Sequence, residues 1–217
     1  MIDRLGMVVR SLLKAALGGI DPNNILQRLM AGGRIRAVEG LPQNRSYYVL
    51  AKERALGPQA LSQRLAVAWH VCVNPGHRIV ALKPEELTSL FGKQFPHGAH
   101  VLDAGPTPRV LNVYVPDTVE VAPGILRHLD RARAFPRVAQ AMANGDYGFL
   151  VLVPWRSGLE QDLTTALAAP DLHGISPAFT GQARRLVGLS SQCHFEVHCA
   201  PSPDTLQLAL QDLKVER

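Results

Sequence analysis

Residues 21–50 carry a run of local signals that restricts the fold more than any other part of the chain. Asp21-Pro22 is a typical helix start, because aspartate can accept the free N–H groups of the first turn and proline suits the first helical position. The following residues predict a helix over 23–31 that ends at Gly32-Gly33. Two short strands, 34–39 and 45–50, are predicted on either side of a turn. The segment therefore predicts a helix followed directly by a two-stranded hairpin.

A helix, a glycine stop and a hairpin in this order indicate the recognition helix and wing of a winged helix. The buried side of the helix is predicted to carry Ile25, Leu26, Leu29 and Met30, and the exposed side Asn23, Asn24, Gln27 and Arg28. Asn and Gln can pair with adenine and Arg with guanine, so we expect the exposed side to contact bases. The hairpin is predicted to be apolar inside and basic outside, with Arg34, Arg36 and Arg45 contacting DNA phosphates.

The charge distribution points the same way. The chain has 23 Lys and Arg and 18 Asp and Glu residues, a formal net charge of +5. Nine basic and four acidic side chains lie within residues 1–60, which leaves 14 of each sign for the rest. The whole excess therefore belongs to the segment with the predicted helix and hairpin, as is typical of a module that binds a polyanion.

Two stretches carry a resemblance to known proteins. Residues 29–35 (LMAGGRI) and 46–57 (SYYVLAKERALG) resemble bacterial winged-helix regulators, in which the recognition helix closes with a glycine and the second wing strand runs into a tyrosine-rich segment. Residues 65–70 (LAVAWH) and the layout of the remaining chain are similar to the replication-relaxation group of plasmid and mobile-element proteins. That resemblance implies a winged helix joined to a domain related to PD-(D/E)xK nucleases, and a role in plasmid or mobile-element replication, transfer or regulation.

The front of the chain departs from this pattern. A full winged helix has two helices before the recognition helix, whereas residues 2–17 predict one long helix with a buried apolar stripe. Either the first helix is missing, or it is replaced by residues 61–72 or by a second subunit. Because a second subunit could supply this helical cover, we expect a homodimer. The predicted organisation is a winged helix over 1–58, a connecting helix over 59–74 and an α/β domain over 75–217.

The third segment has the alternation of an α/β sandwich resembling a degenerate restriction-endonuclease-like fold. Predicted in order are a helix from residue 83 to 91, a hairpin of 99–104 and 109–116, a helix over 123–143 bent at Pro136, and a strand over 147–153 buried on both faces. A helix over 159–168, strands at 186–189 and 193–199, and a helix over 203–213 complete it.

Metal-dependent nucleases need converging carboxylates and usually a lysine. The candidates here are Asp103, Asp117 and Glu120 at the ends of the hairpin strands. Asn112 and Tyr114 occupy the place of the acid and lysine, and there is no lysine between Lys93 and Lys214. We therefore expect a domain without nuclease activity that dimerises or holds a protein partner, with a metal-dependent nuclease as the alternative.

A second cluster is the stretch His194-Phe195-Glu196-Val197-His198. On a strand, His194, Glu196 and His198 share one face and could bind zinc. Ligands about 7 Å apart on a straight strand converge poorly on one ion, so an ordinary polar outer face is the favoured interpretation.

Other classes of protein are disfavoured. Three cysteines indicate free thiols in a reducing compartment, and no apolar run of about 20 residues or signal peptide is present, so we expect a cytoplasmic protein that does not bind membranes. No glycine-rich phosphate loop is present, and no cofactor is expected. The preferred function is binding of double-stranded DNA; besides the nuclease, a protein-interaction module of a larger assembly stays open.

Overall fold

The computed structural model describes residues 1–43, 45–73, 79–116, 120–168, 171 and 173–215. It has the predicted mixed α/β class, with a two-stranded sheet and a mixed five-stranded sheet. The chain forms two compact units, here called unit 1 (Met1–Gly76 with Ala200–Arg217) and unit 2 (His77–Cys199). The sequence-based division had placed the helix after the hairpin in a linker and residues 200–217 in the second domain, whereas both belong to unit 1. The roles assigned to those ranges stay predictions.

In its described residues, unit 1 has five helices and a hairpin. They are α1 (Ile2–Leu5), α2 (Arg10–Ala16), α3 (Asn23–Ala31), β1 (Ile35–Leu41), β2 (Arg45–Leu50), α4 (Pro58–Val73) and the C-terminal helix α10 (Leu206–Val215). Part of its core joins α1, α2, α3 and the hairpin through the buried side chains of Ile2, Val8, Leu13, Leu26 and Ile35. Helix α4 packs against α1 and α2.

The prediction of one long helix over residues 2–17 was wrong. The helix stops after one turn because Gly6 adopts a left-handed conformation, with φ 70°, that side chains with a Cβ rarely adopt. Val8 then pairs with Tyr48 of β2 through two backbone hydrogen bonds of 3.0 and 2.8 Å. A short extended segment therefore separates α1 from α2.

The predictions for α3 and the hairpin were confirmed. Asp21 Oδ1 accepts a hydrogen bond from the Asn23 N–H at 3.2 Å, and Gly33 beyond the helix has φ 63°. The two strands pair antiparallel from Ile35 opposite Leu50 to Leu41 opposite Arg45, with an irregularity between Glu39 and Leu41.

Unit 2 is built on the five-stranded sheet, in the order β3-β4-β5-β6-β7. Its elements are β3 (Ile79–Ala81), α5 (Pro84–Phe91), β4 (His100–Asp103), β5 (Arg109–Tyr114), α6 (Val121–Arg133), α7 (Pro136–Asn144), β6 (Tyr147–Pro154), α8 (Leu159–Ala168), α9 (Thr180–Ala183) and β7 (His194–Ala200), with a 3-10 turn at Leu189–Ser191. Strands β3, β4 and β5 are antiparallel, whereas β5 and β6 are parallel. One face of the sheet packs against helices α5 to α9 in a single apolar cluster.

Most elements of unit 2 follow the sequence prediction. The predicted bend at Pro136 is a full break between α6 and α7, because the residue before proline is biased towards extended backbone and Phe135 has φ −103° and ψ 111°. Strand β6 is buried along both faces, as predicted. The strand predicted over 186–189 was wrong: Leu189 N–H donates to the Leu186 carbonyl, and residues 184–188 form turns. Across the described ranges, no helix is long and apolar enough to cross a membrane.

Candidate nucleic-acid interface

One side of α3 presents polar side chains to solvent. Asn24, Gln27 and Arg28 are exposed, and no hydrogen bond or ion pair with another described residue occupies their side chains. Asn23 is half-buried at the start of the helix. Ile25 departs from its predicted place on the buried side, since it is 49% exposed while Leu26 is 1% exposed.

The residues after the hairpin bring further positive charge to the end of α3. The Ala51 N–H donates to the Arg34 carbonyl at 3.0 Å, which ties residues 51–54 to the chain that leaves the helix. Arg34, Lys52 and Arg54 are exposed, and within the described part of the chain none has a hydrogen-bond or ion-pair partner for its side chain. We call these three residues the basic edge.

Lys52 and Arg54 were not among the residues assigned to DNA from the sequence, which counted them only in the net charge. The signal that could have found them is the order Lys52-Glu53-Arg54 directly after β2. Glu53 is half-buried and its carboxylate lies 3.4 Å from Arg64, while the basic residues on either side of it stay exposed.

Over the residues of the hairpin that the structure describes, neither face is free and basic. Ile35, Tyr48 and Leu50 pack in the cluster with α1 to α3, and Tyr47 and Val49 on the opposite face are also buried. The alternation of residues therefore does not separate an apolar inside from a basic outside.

Arg36 and Arg45 lie on the same face as Tyr47 and Val49, and both are bound within unit 1. Arg36 donates through Nε and Nη2 to the Glu53 carbonyl, at 3.3 and 2.8 Å. Arg45 donates to the Pro42 carbonyl at 3.0 Å and to Gln207 of α10 at 2.9 Å. These bonds hold the hairpin against its neighbours in unit 1, and contact of the two side chains with phosphates stays a prediction.

Replacing Arg36 by alanine should lower the free energy of unfolding of unit 1. The half-buried guanidinium donates two charge-assisted hydrogen bonds to one carbonyl oxygen. Hydrogen bonds to charged groups contribute about 1.5–3 kcal/mol to the free energy of unfolding. Urea unfolding followed by circular dichroism measures the change, with the exposed Arg34→Ala as the matched control. Equal stability of the two variants would contradict a structural role for Arg36.

The side chains of His194, Glu196 and His198 do approach one another on β7. His194 Nε2 lies 2.8 Å from Glu196 Oε1, and His198 Nε2 lies 3.7 Å from Glu196 Oε2. These contacts, with that to His194 the larger, hold the pKa of Glu196 well below its usual range despite partial burial. The Glu196 carboxylate thus contacts both imidazoles. Within the described ranges, no group of three or more His, Cys, Asp or Glu is placed to hold a metal ion.

Two of the three carboxylates considered for a nuclease, Asp103 and Glu120, lie in the described part of the chain, at the ends of different elements. Asp103 ends β4, and its Oδ1 accepts the Gly105 N–H at 3.0 Å, which is the bond expected of a turn residue. Glu120 directly precedes α6. Asp117 lies outside the described residues.

Unit 2 contains a row of buried, hydrogen-bonded polar side chains, here called the polar chain, which the sequence did not predict. His100 Nδ1 lies 3.2 Å from the Gly98 carbonyl, which can only accept, so this nitrogen carries the proton. Nε2 of the neutral ring then accepts from the Tyr147 hydroxyl at 3.0 Å and from Asn112 Nδ2 at 2.9 Å. Asn112 Oδ1 in turn accepts from His128 Nδ1 at 2.9 Å. The polar chain therefore links β6, β4, β5 and α6.

Burial sets the protonation states of the two histidines and the tyrosine in the polar chain. It lowers the pKa of His100 to about 4, an effect only partly opposed by the bond to Gly98. The pKa of His128 is also lowered, first by burial and then by Arg131 and Arg127. Burial raises the pKa of the Tyr147 hydroxyl. All three groups are therefore neutral at pH 7, as a buried hydrogen-bonded network requires.

The three cysteines are free thiols, as predicted. Burial raises the pKa of Cys72 to about 11 and of Cys193 to about 12, so the thiol is the stable form of both at neutral pH. Reactive cysteines have lowered pKa values, and these two have the opposite.

No family model, no curated protein and no solved structure matches this chain.

Proposed function

We propose that this protein binds double-stranded DNA, with α3 as the recognition helix and the hairpin as the wing of a winged helix in unit 1. The observation that carries the proposal is the exposed, unoccupied row of Asn24, Gln27 and Arg28 on α3 beside the basic edge. Amide and guanidinium groups on one exposed helix face match the donor and acceptor pattern of base edges in the major groove.

The order of elements supports the winged-helix proposal. Two helices, α1 and α2, precede α3, although α1 is a single turn. The pairing of Val8 with Tyr48 ties the segment between them to the hairpin. Helix α4 packs on α1 and α2 and supplies helical cover within one chain. A homodimer stays a proposal, although α4 supplies the helical cover that a second subunit was expected to provide.

In this proposal α3 enters the major groove and its exposed side chains contact bases. Arg28 suits guanine and the amides of Asn24 and Gln27 suit adenine. Ile25, half-exposed beside them, suits the methyl group of thymine. The basic edge, Arg34, Lys52 and Arg54, lies where the chain leaves α3 and contacts phosphates.

Unit 2 is proposed to act without catalysis, as a domain for dimerisation or for a protein partner. The Asp103 carboxylate accepts the Gly105 N–H, as turn residues do, and Asn112, in the place where a nuclease would have an acid, belongs to the buried polar chain. The setting in plasmid or mobile-element biology and a cytoplasmic location rest on the sequence alone.

Binding can be tested by fluorescence anisotropy with duplex DNA at two salt concentrations, and sequence preference by selection from a randomised duplex pool. Arg28→Ala should reduce discrimination between selected and random duplexes by about 1–3 kcal/mol while binding to random DNA changes little. The exposed Lys14→Ala on α2 is the control, and its selected sequences should equal those of the parent. The proposal is wrong if the parent binds no duplex in a salt-dependent way.

A further inference from the structure

Unit 2 contains an open groove that the proposed DNA contacts do not use. It has a volume of about 650 Å³ and lies between the end of α5 and one face of α7, above β4 and β5. The α7 face consists of Arg137, Gln140, Ala141 and Asn144, spaced as one helical stripe. The volume is within the range of ligand sites, about 300–1,000 Å³.

The floor and one rim of the groove are apolar. Phe91, Leu102 and Val110 form the floor, and Leu90 at the rim is 54% exposed. Covering this surface would remove apolar area from water, so an occupant with a large apolar side chain is favoured.

Two guanidinium groups border the same groove. Arg109 is fixed by a bond from Nε to the Gly145 carbonyl at 3.0 Å. Arg137 is exposed, and its guanidinium lies beside Gly92 at the end of α5. A Cβ atom placed on Gly92 would be 3.1 Å from Nη1 of Arg137. Within the described ranges, no carboxylate forms an ion pair with either group. The single acid of the lining, Asp146, leaves an excess of positive charge.

The length of the groove indicates what kind of occupant fits. The stripe from Arg137 to Asn144 covers seven helical rises, or about 10 Å. An extended peptide covers that distance with about three residues. An open groove of this length with an apolar floor and cationic borders matches a short acidic segment better than it matches bare phosphate, which would not use the floor.

We propose that this groove binds an extended peptide segment of a partner protein, in which apolar residues are flanked by acidic ones. The apolar side chains pack on Phe91, Leu102 and Leu90, and the carboxylates meet Arg137 and Arg109. The proposal concerns unit 2 alone and stands whether or not unit 1 binds DNA.

The test is an NMR titration of the full chain with blocked tetrapeptides. Glu-Leu-Leu-Glu should shift the amides of Leu90 and Gln140, whereas Lys-Leu-Leu-Lys and Glu-Ser-Ser-Glu should bind more weakly. Arg137→Ala should weaken binding of the acidic peptide about fivefold, the upper range for an exposed ion pair. Leu90→Ala should weaken it as well, and because both side chains are exposed, neither change should unfold the protein.

Arg131→Ala, an exposed arginine on α6 outside the groove, is the matched control and should leave binding unchanged. The proposal is overturned if the acidic peptide does not bind at millimolar concentration, if the basic peptide binds as tightly, or if Arg137→Ala has no effect. Shifts of the same amides by a duplex oligonucleotide would also overturn it, since the groove would then take nucleic acid.

Discussion

Replacing Arg34, Lys52 and Arg54 together by alanine should weaken binding to duplex DNA about 500-fold at a salt concentration of about 0.1 M. Each of these exposed side chains is proposed to neutralise one phosphate, and each neutralised phosphate releases close to one counterion. The slope of log K against log salt should therefore become less negative by about 2.7. Fluorescence anisotropy over a range of salt concentrations measures both quantities.

The matched control changes the net charge by the same amount in unit 2. Arg127, Arg131 and Arg137 are exposed on α6 and α7, and their triple alanine variant should keep nearly the parent slope. If the two triple variants lose affinity equally, the attraction comes from net charge and the basic edge is not the contact surface.

The free energy of unfolding of unit 2 should fall by about 3 kcal/mol between pH 6.5 and pH 4 through His100 alone. Folding lowers the pKa of this imidazole from 6.5 to about 4. The folded state therefore prefers the neutral ring, so the stabilisation is complete above pH 6.5 and is lost as pH falls towards 4. Protonation would add a donor at Nε2, which already accepts from Tyr147 and Asn112.

Urea unfolding at several pH values would measure this effect, with His100→Gln as the reference. The variant should be less stable at pH 7, and its stability should depend less steeply on pH between 6.5 and 4.5. Glu196 does not contribute to the change between pH 6.5 and 4.5. Because its pKa is lowered in the folded state, its contribution to stability is lost only below about pH 4.5. NMR titration of the imidazole provides an independent check, and a His100 pKa near 6.5 would contradict the prediction.

The elements that the sequence predicted well are those set by neighbouring residues. Helix α3 is bounded by Asp21 and Gly33, and α5 begins at Pro84 with Glu86 bonded back to the Lys83 N–H. Caps and prolines act within a few residues, so they can be recognised without knowing the fold.

The errors came from contacts between distant residues. Residues 2–17 have the apolar spacing of one helix, but the backbone of Val8 pairs with Tyr48. The alternation in the hairpin assumed one solvated face, whereas Tyr47 and Tyr48 are on opposite faces and both pack against other elements. The internal partners of Arg36 and Arg45, Glu53 and Gln207, could not be foreseen either, since they belong to other segments.

The polar chain through His100 could not be predicted for the same reason. Its members come from β4, β5, α6 and β6, and Asn112 alone suggested only the absence of a nuclease acid. The exposed row on α3 could be predicted because one helix carries all of it.

The discontinuous composition of unit 1 has a consequence for synthesis on the ribosome. Residues 77–199 emerge before residues 200–217, so a nascent chain arrested near residue 200 would contain all of unit 2 but not α10. The hairpin would then lack Gln207, the partner of Arg45. Residues 1–76 are thus synthesised before unit 2, but unit 1 is completed only when residues 200–217 have followed unit 2.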